Sequence, residues 1–554
     1  MFTGTLHKTL SLYLALSLSP GITQAALNPA DESIALKAYN FIVPGKRHEE
    51  RCLILKPLPG MPQKVTKDEE DLCRANLYNS VSTNPAPKTY YSCPKVHNTS
   101  IAIESYKIPK GMGEIEFQKT VCPLSKAGKT KLKDAKDYPD KEVKFKFSSP
   151  GVSSGSMFGY YHVSNYLKAV DIPASVLRTV DTDTVLEHSL AGRYLSAVFK
   201  NSYLYRFYDM QTSLLLNLKH GSLSQIPSEY LGASHGLGII PASFYNSTTR
   251  KLVSAPSYYQ NRQLTDDRLT IYGPLSENPS NEASYSEISG TKPAKTRIEK
   301  FKTSSVHYPA LKDFRPIEQI LGSRDLAVAG QKMMGMQDTS SMLILDFLFE
   351  NPDRIGNIHY KKKYFYRTSA GKVRDISQKK FQELSAKDLT TLTPEEQETL
   401  KAIQQTGVEL KVMLLKDNDG GFDSNPFKKH QVIVDVKRSA ASYDSWKDNA
   451  DIFLNASMVV RHFNPDVYKG LVNLHGYVFS AQTKDAAKAY FTKGLQMTEG
   501  EYKDFSNNVL SIYRALYTNC KKNQLFLDLD TKNYFSANYK PILTTTPGVC
   551  EGQF

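Results

Sequence analysis

The chain has 554 residues, 40% hydrophobic and 11% aromatic, which excludes wholesale disorder and leaves room for roughly two to four domain-sized units. Its net charge of +14 is spread over mixed acids and bases. No Lys/Arg block stands clear of acids, so no nucleic acid is expected as a partner; the excess suits an acidic one, such as a nucleotide, an acidic substrate or an anionic surface.

Residues 1–25 read as a secretory signal peptide of the short bacterial kind, with Lys8, an apolar run from Leu10 to Leu18, and a small-residue end at Thr23-Gln24-Ala25. That run is too short to span a bilayer, and no later segment is long and free of charge, so no transmembrane segment is expected. The mature protein, near +13 without Lys8, is expected to be secreted or periplasmic. Asn98, Asn246 and Asn455 begin N-x-S/T sequons, about as many as chance gives. Six cysteines fit an oxidising compartment and three disulfides, with Cys520–Cys550 the clearest pair; Cys52, Cys73, Cys93 and Cys122 crowd the first quarter. No C-x-x-C occurs, which speaks against zinc and thioredoxin-like chemistry.

Residues 26–135 read as a disulfide-stapled region with Pro-rich turns and no chemistry of their own. Val143 to Phe147, VKFKF, alternates as a strand, with Lys144 and Lys146 on one face. A Ser/Gly loop follows, then an amphipathic helix through Met157, Tyr160, Val163 and Leu167, ending before Pro173. A solvated strand lysine is the plain reading of Lys146. The loop also matches G-x-S-x-G at Gly151, Ser153 and Gly155, a hydrolase nucleophile elbow. The lysines of VKFKF speak against it, because the strand before an elbow is buried on both faces.

Residues 261–306 are polar and read as a linker or insertion. Met342 to Phe349 is apolar almost throughout and long enough for about two buried helical turns. It stops at Asn351-Pro352, with Asp353, Arg354 and Asn357 just behind. Ile358 to Arg367 reads as a strand, its Lys361-Lys362-Lys363 a solvated edge. Asp375 to Thr406 reads as a helical insertion, opened by the capping box Thr393-Pro394-Glu395-Glu396. Val412 to Leu415 is a short strand ending in Asp417, Asn418 and Asp419. Ser439 to Phe463 and Asp485 to Leu516 read as helices.

Phosphoryl transfer needs one carboxylate near the attacking hydroxyl and another on a divalent metal that bridges the nucleotide phosphates. Asp353 suits the first role; Asp417 and Asn357 offer the hard oxygens that Mg²⁺ or Mn²⁺ takes. The pattern D-F-L-x-x-N-x-D-R-x-x-N at Asp346 to Asn357, followed by L-x-D-N-x-x-x-F at Leu415 to Phe422, resembles the atypical kinase core of the secretory-pathway (Golgi casein kinase) family, the HipA-like kinases and the phosphoinositide kinases.

The resemblance implies an α+β fold, two-lobed and protein-kinase-like, with a disulfide-bearing N-terminal region and a helical C-terminal lobe. It implies an N-lobe over 136–260, a C-lobe over 307–470 and a helical extension over 471–554. It also implies ATP and Mg²⁺ or Mn²⁺ as cofactors, a catalytic Asp353, and a metal held by Asp417. Lys146, or else Lys144, would contact the phosphates; Asp419 is the alternative metal ligand. Three departures stand out: Asn357 follows Asp353 by four residues rather than the usual five, the two blocks lie 64 residues apart from Asp353 to Asp417, longer than the usual hairpin, and 156–170 lacks the expected lysine-pairing Glu. The expected function is a secreted kinase acting on a hydroxyl acceptor, Ser or Thr of a protein, with a glycan or lipid acceptor, AMP transfer or a pseudokinase as alternatives.

Overall fold

The computed structural model describes residues 32–42, 49–75, 77, 90–95, 101–107, 142–146, 153–198, 204–205, 207–209, 211–212, 215–216, 245–246, 251–252, 270–277, 283–284, 310–351, 354, 357–422 and 460–554. The expected signal peptide, Cys122, Asn98, Asn455, Asp353, most of the 261–306 linker and the expected 439–463 helix up to residue 459 lie outside them.

The chain is mixed α+β, built on two antiparallel sheets. The larger has seven strands: β1 (Ala35–Ile42), β2 (Glu49–Leu55), β3 (Tyr90–Pro94), β4 (Ile103–Lys107), β5 (Glu142–Phe145), β6 (Ser175–Asp181) and β9 (Thr270–Glu277). Their order is β1-β2-β6-β9-β5-β4-β3. A short hairpin, β7 (Tyr245–Asn246) and β8 (Lys251–Leu252), pairs separately.

Strand alternation divides the sheet's two faces. Leu53, Leu55 and Leu177 enter the main core, whereas Cys52, Ile54, Val176 and Val180 enter a second cluster. Helix α1 (Lys67–Cys73) lies on that second side, tied to β2 by Cys52–Cys73. Cys93 is disulfide-bonded as well. Every residue of β6 is buried, including Arg178, which donates to Glu50 and to the carbonyls of Cys73 and Ala75.

Helix α2 (Ser154–Leu167) covers the first side. It is not the amphipathic helix the spacing suggests, because most of its surface is buried. Helix α3 (Thr182–Val198) follows β6. Helix α4 (Leu326–Phe349) begins at an Asp325 side-chain cap and ends at Glu350 in the left-handed region, φ 51°. Far longer than two turns, it is buried on all sides from Asp338 onward.

The second sheet centres on β11 (Ile358–Arg367). β13 (Val408–Leu415) flanks it on one side; β10 (Ala283–Ser284) and β12 (Val373–Ser377) flank it on the other. The expected solvated edge at Lys361 to Lys363 is therefore a central strand. Lys361 and Lys363 pair with Asp171, and Lys362 with Glu409. The insertion between β11 and β13 holds β12 as well as helices α5 (Gln378–Ser385) and α6 (Pro394–Thr406), so Asp375 belongs to a strand. The Thr393 and Glu396 capping box forms as the sequence indicates.

Helices α7 (Pro465–Phe479) and α8 (Glu499–Lys521) complete the main core, which runs from Leu53 to Cys550. Cys520–Cys550 closes 30 residues at its end, a loop whose closure is worth about 3–4 kcal/mol. No helix among the described residues is long and apolar enough to cross a membrane.

The outer edge of β13 is closed by other groups. Gln331 of α4 donates to the Lys411 carbonyl and accepts from the Lys411 N–H. The Met413 N–H donates to Asp338 at 2.8 Å, and the Leu415 N–H to the Asp171 carbonyl at 3.1 Å. Burial, helped by Asp171 and opposed by the Met413 N–H, pushes the Asp338 carboxyl from 3.8 up to about 7. The cost of ionising it is thus absent below about pH 4, grows from there, and is full above about pH 7. Asp338→Asn keeps an acceptor for Met413 and removes that cost. Its melting temperature should exceed the wild type's at about pH 8 and match it at about pH 4, as read by thermal denaturation.

Candidate functional site

Three separate stretches of sequence meet at one cleft. The first is the end of β5 with the start of α2. Ser153 caps α2, accepting from the Ser156 N–H, and its own N–H donates to the Asp419 carbonyl at 2.8 Å. The second is the end of α4 with Arg354 and Asn357. The third is the turn after β13, residues 416–422. The cleft is open to solvent, spans about 430 Å³ with that open space included, and is lined by Lys144, Lys146, Ile172, Pro173 and Lys416 to Asp419, among others.

Lys144 and Lys146 share a strand face, as their spacing requires, but neither is solvated. Lys146 Nζ lies 2.6 Å from Asp419 Oδ2 and 3.7 Å from Asp417 Oδ1. Its side chain is 2% exposed; those of Asp419 and Asp417 are 6% and 32% exposed. Lys144 Nζ is 3.9 Å from Glu104, its cross-strand neighbour on β4. Burial works against the charge of Asp417, but Lys144, Lys146, Lys95 and Lys416 outweigh it and hold the carboxyl well below the usual range. Lys95, at the end of β3, is buried; desolvation first, then Lys144 and Lys146, lower its pKa to about 8. The cleft is thus a concentration of cations around one partly exposed carboxylate, a setting that favours a polyanion.

Arg354 holds the turn in place. Its Nε forks onto both oxygens of Asp346 at 3.0 and 3.1 Å. One terminal nitrogen donates to the Lys416 carbonyl and the other to Asn418 Oδ1 at 2.7 Å. Tyr160 of α2 donates to the same Asp346 at 2.7 Å. Burial opposes the charge of Arg354, but Asp346 and Tyr160 outweigh it and raise its pKa. Ser156 Oγ donates to the Asn418 carbonyl, and the Phe422 N–H to the Phe349 carbonyl.

Close approach decides two glycines. A Cβ on Gly421 would lie 2.3 Å from Ser156 Oγ, and one on Gly159 would lie 2.3 Å from the Phe349 ring. Asp417 itself adopts φ 48°, a left-handed conformation that Asp tolerates better than most residues.

The two sequence blocks therefore touch through Arg354, and Lys146 meets both Asp417 and Asp419. The Asn357 carbonyl accepts from the Lys416 N–H, which sets Asn357 beside the start of the turn. Asp353 lies outside the described residues. Ser153, the hydrolase candidate, is a helix cap whose hydroxyl donates to Glu501 at 2.6 Å. Sequence reading missed Lys95, assigned to a region without chemistry, and Glu501. The signal for Glu501 was a capping box, Thr498 to Glu501, which does form.

Among the described residues no three His, Cys, Asp or Glu side chains gather as a metal-holding group. Mg²⁺ beside a nucleotide takes one or two carboxylates and completes its shell with phosphate and water, and the partly exposed Asp417 suits that donor set.

Arg354→Met should destabilise the chain by about 3–5 kcal/mol in urea unfolding, because it leaves Asp346 buried without its charge partner, with only the Tyr160 hydroxyl still donating to it. Adding Asp346→Asn to it should recover part of the loss. Compared with protein-family models, curated proteins and solved structures, the chain matches none.

Proposed function

We propose that this chain is an exported phosphotransferase with an atypical kinase-type site, moving the γ-phosphate of ATP to a hydroxyl acceptor, Ser or Thr of a protein. One observation carries the reading. A buried lysine from a sheet strand meets the two acids that follow β13, inside a lysine-lined cleft, and the D-R block is bonded to that same turn. The disulfides Cys52–Cys73 and Cys520–Cys550 support an oxidising location.

In this reading Lys146 donates to a phosphate oxygen, and Lys144 adds positive charge nearby. Asp417 would hold the metal, with Asn357 as its second protein ligand. A Mg²⁺ or Mn²⁺ held there would supply positive charge against the negative charge that develops during transfer. Asp353 accepts the acceptor's proton as the acceptor oxygen bonds to the γ-phosphorus and the bond to ADP breaks. Arg354 fixes the turn and takes no part in proton transfer. A working site of this kind runs mainly on positioning and electrostatics, for which a rigid, cationic cleft is suited.

The test is incubation of the purified protein with γ-labelled ATP and Mn²⁺ or Mg²⁺, with and without an acidic protein acceptor, beside Asp353→Ala and Asp417→Ala. Label in the wild type that falls by about a hundredfold or more in both variants is the expected result. Absence of label, together with no thermal shift on adding ATP and metal, overturns the reading. An added mass of AMP instead of phosphate would keep the site and change the reaction.

A further inference from the structure

The turn after β13 carries two acids two residues apart; both line the cleft and reach Lys146, but they differ in distance and burial. Asp419 is buried and 2.6 Å from Lys146 Nζ; Asp417 is 3.7 Å away and a third exposed to the cleft. The Asp419 main chain is tied to the cap of α2 through the Ser153 N–H. The Asn418 carbonyl beside it is held by Ser156, and the Asn418 side chain by Arg354. The left-handed Asp417 lies just before this anchored pair.

A lysine buried this completely needs a carboxylate beside it, because an unpaired ammonium in a dry site is costly. The helix that follows β5 cannot supply one: α2 contains neither Asp nor Glu. We propose that Asp419 is the positioning residue that neutralises and aims Lys146, and that Asp417 is the carboxylate facing the cleft's ligand. Asp419 cannot turn toward a cation without giving up its 2.6 Å contact with Lys146, so the two acids are not interchangeable ligands. What the cleft holds rests on the phosphotransferase reading; the pairing of Asp419 with Lys146 does not.

Two measurements on the full chain test this. The first needs no nucleotide. A double-mutant cycle by chemical denaturation compares Lys146→Met with Asp419→Asn and with Asp417→Asn. The Lys146–Asp419 coupling should correspond to about a tenfold or larger change in the unfolding equilibrium, and the Lys146–Asp417 coupling to about threefold or less. Should Asp419→Asn alone fail to fold, refolding on adding Lys146→Met gives the same answer. The rate at which an amine-reactive ester labels Lys146 should rise in Asp419→Asn and return toward the wild type in Asp419→Glu.

The second measurement is Mn²⁺ binding in the presence of ATP, followed by electron paramagnetic resonance. Asp417→Asn should weaken it by about tenfold or more, and Asp419→Asn by about threefold or less. Larger coupling to Asp417, or equal loss of Mn²⁺ in both variants, overturns the proposal. If the wild type binds no Mn²⁺ with ATP, the phosphotransferase reading fails, and the denaturation cycle still decides the role of Asp419.

Discussion

One buried ammonium sets the terms for this structure. Lys146 lies at the end of β5 with its charge out of water, and a charge in that position persists only with hydrogen-bonded acids around it. The two acids come from a turn 273 residues away in sequence for the closer one. Bringing them there, and holding them, occupies much of the surrounding architecture. The N-terminal cap of α2, the C-terminal end of α4 and the edge of β13 all converge on residues 415 to 422.

The support is layered. Arg354 is the hub, since it bonds to an acid on α4, a carbonyl before Asp417 and a side chain after it. Such a buried pair contributes little net stability when intact and costs much when broken. What it contributes here is a fixed shape for the turn. Glu501 adds a further tie. It completes the cap of α8 and accepts from the cap of α2, so one carboxylate joins the C-terminal helices to the lysine side of the cleft. Asn508 of α8 reaches the Leu348 carbonyl and Glu350 at the end of α4.

Local features were the most legible in the sequence. The capping box at Thr393, the strand at Ile358 to Arg367 and the buried run before Asn351 each depend on neighbours a few residues apart, and each has its expected form. The alternation of VKFKF placed Lys144 and Lys146 on one face, but not their burial, which depends on strands far away in sequence. The same limit hid the status of Lys361 to Lys363, where charge suggested an edge and partners on Asp171 and Glu409 allow a central strand. Lys95 was illegible because nothing near it in sequence marks it. Its charge acts on Asp417 only because of the order of strands in the larger sheet. The division of labour between Asp417 and Asp419 was equally hidden, because D-N-D reads the same from either end.

The distances along the chain have a consequence for when the protein becomes competent. The Lys146 contact spans 273 residues and the Ser153 contact with Glu501 spans 348. Contacts of that range form late, because their loop-closure entropy is compensated only once most of the fold is in place. A nascent or truncated chain ending before the turn at 417–419 carries the lysines of the cleft with none of that turn's acids to balance them. The cleft is thus a property of the finished molecule, and a break anywhere between its contributing segments, once they separate, dismantles it as a unit.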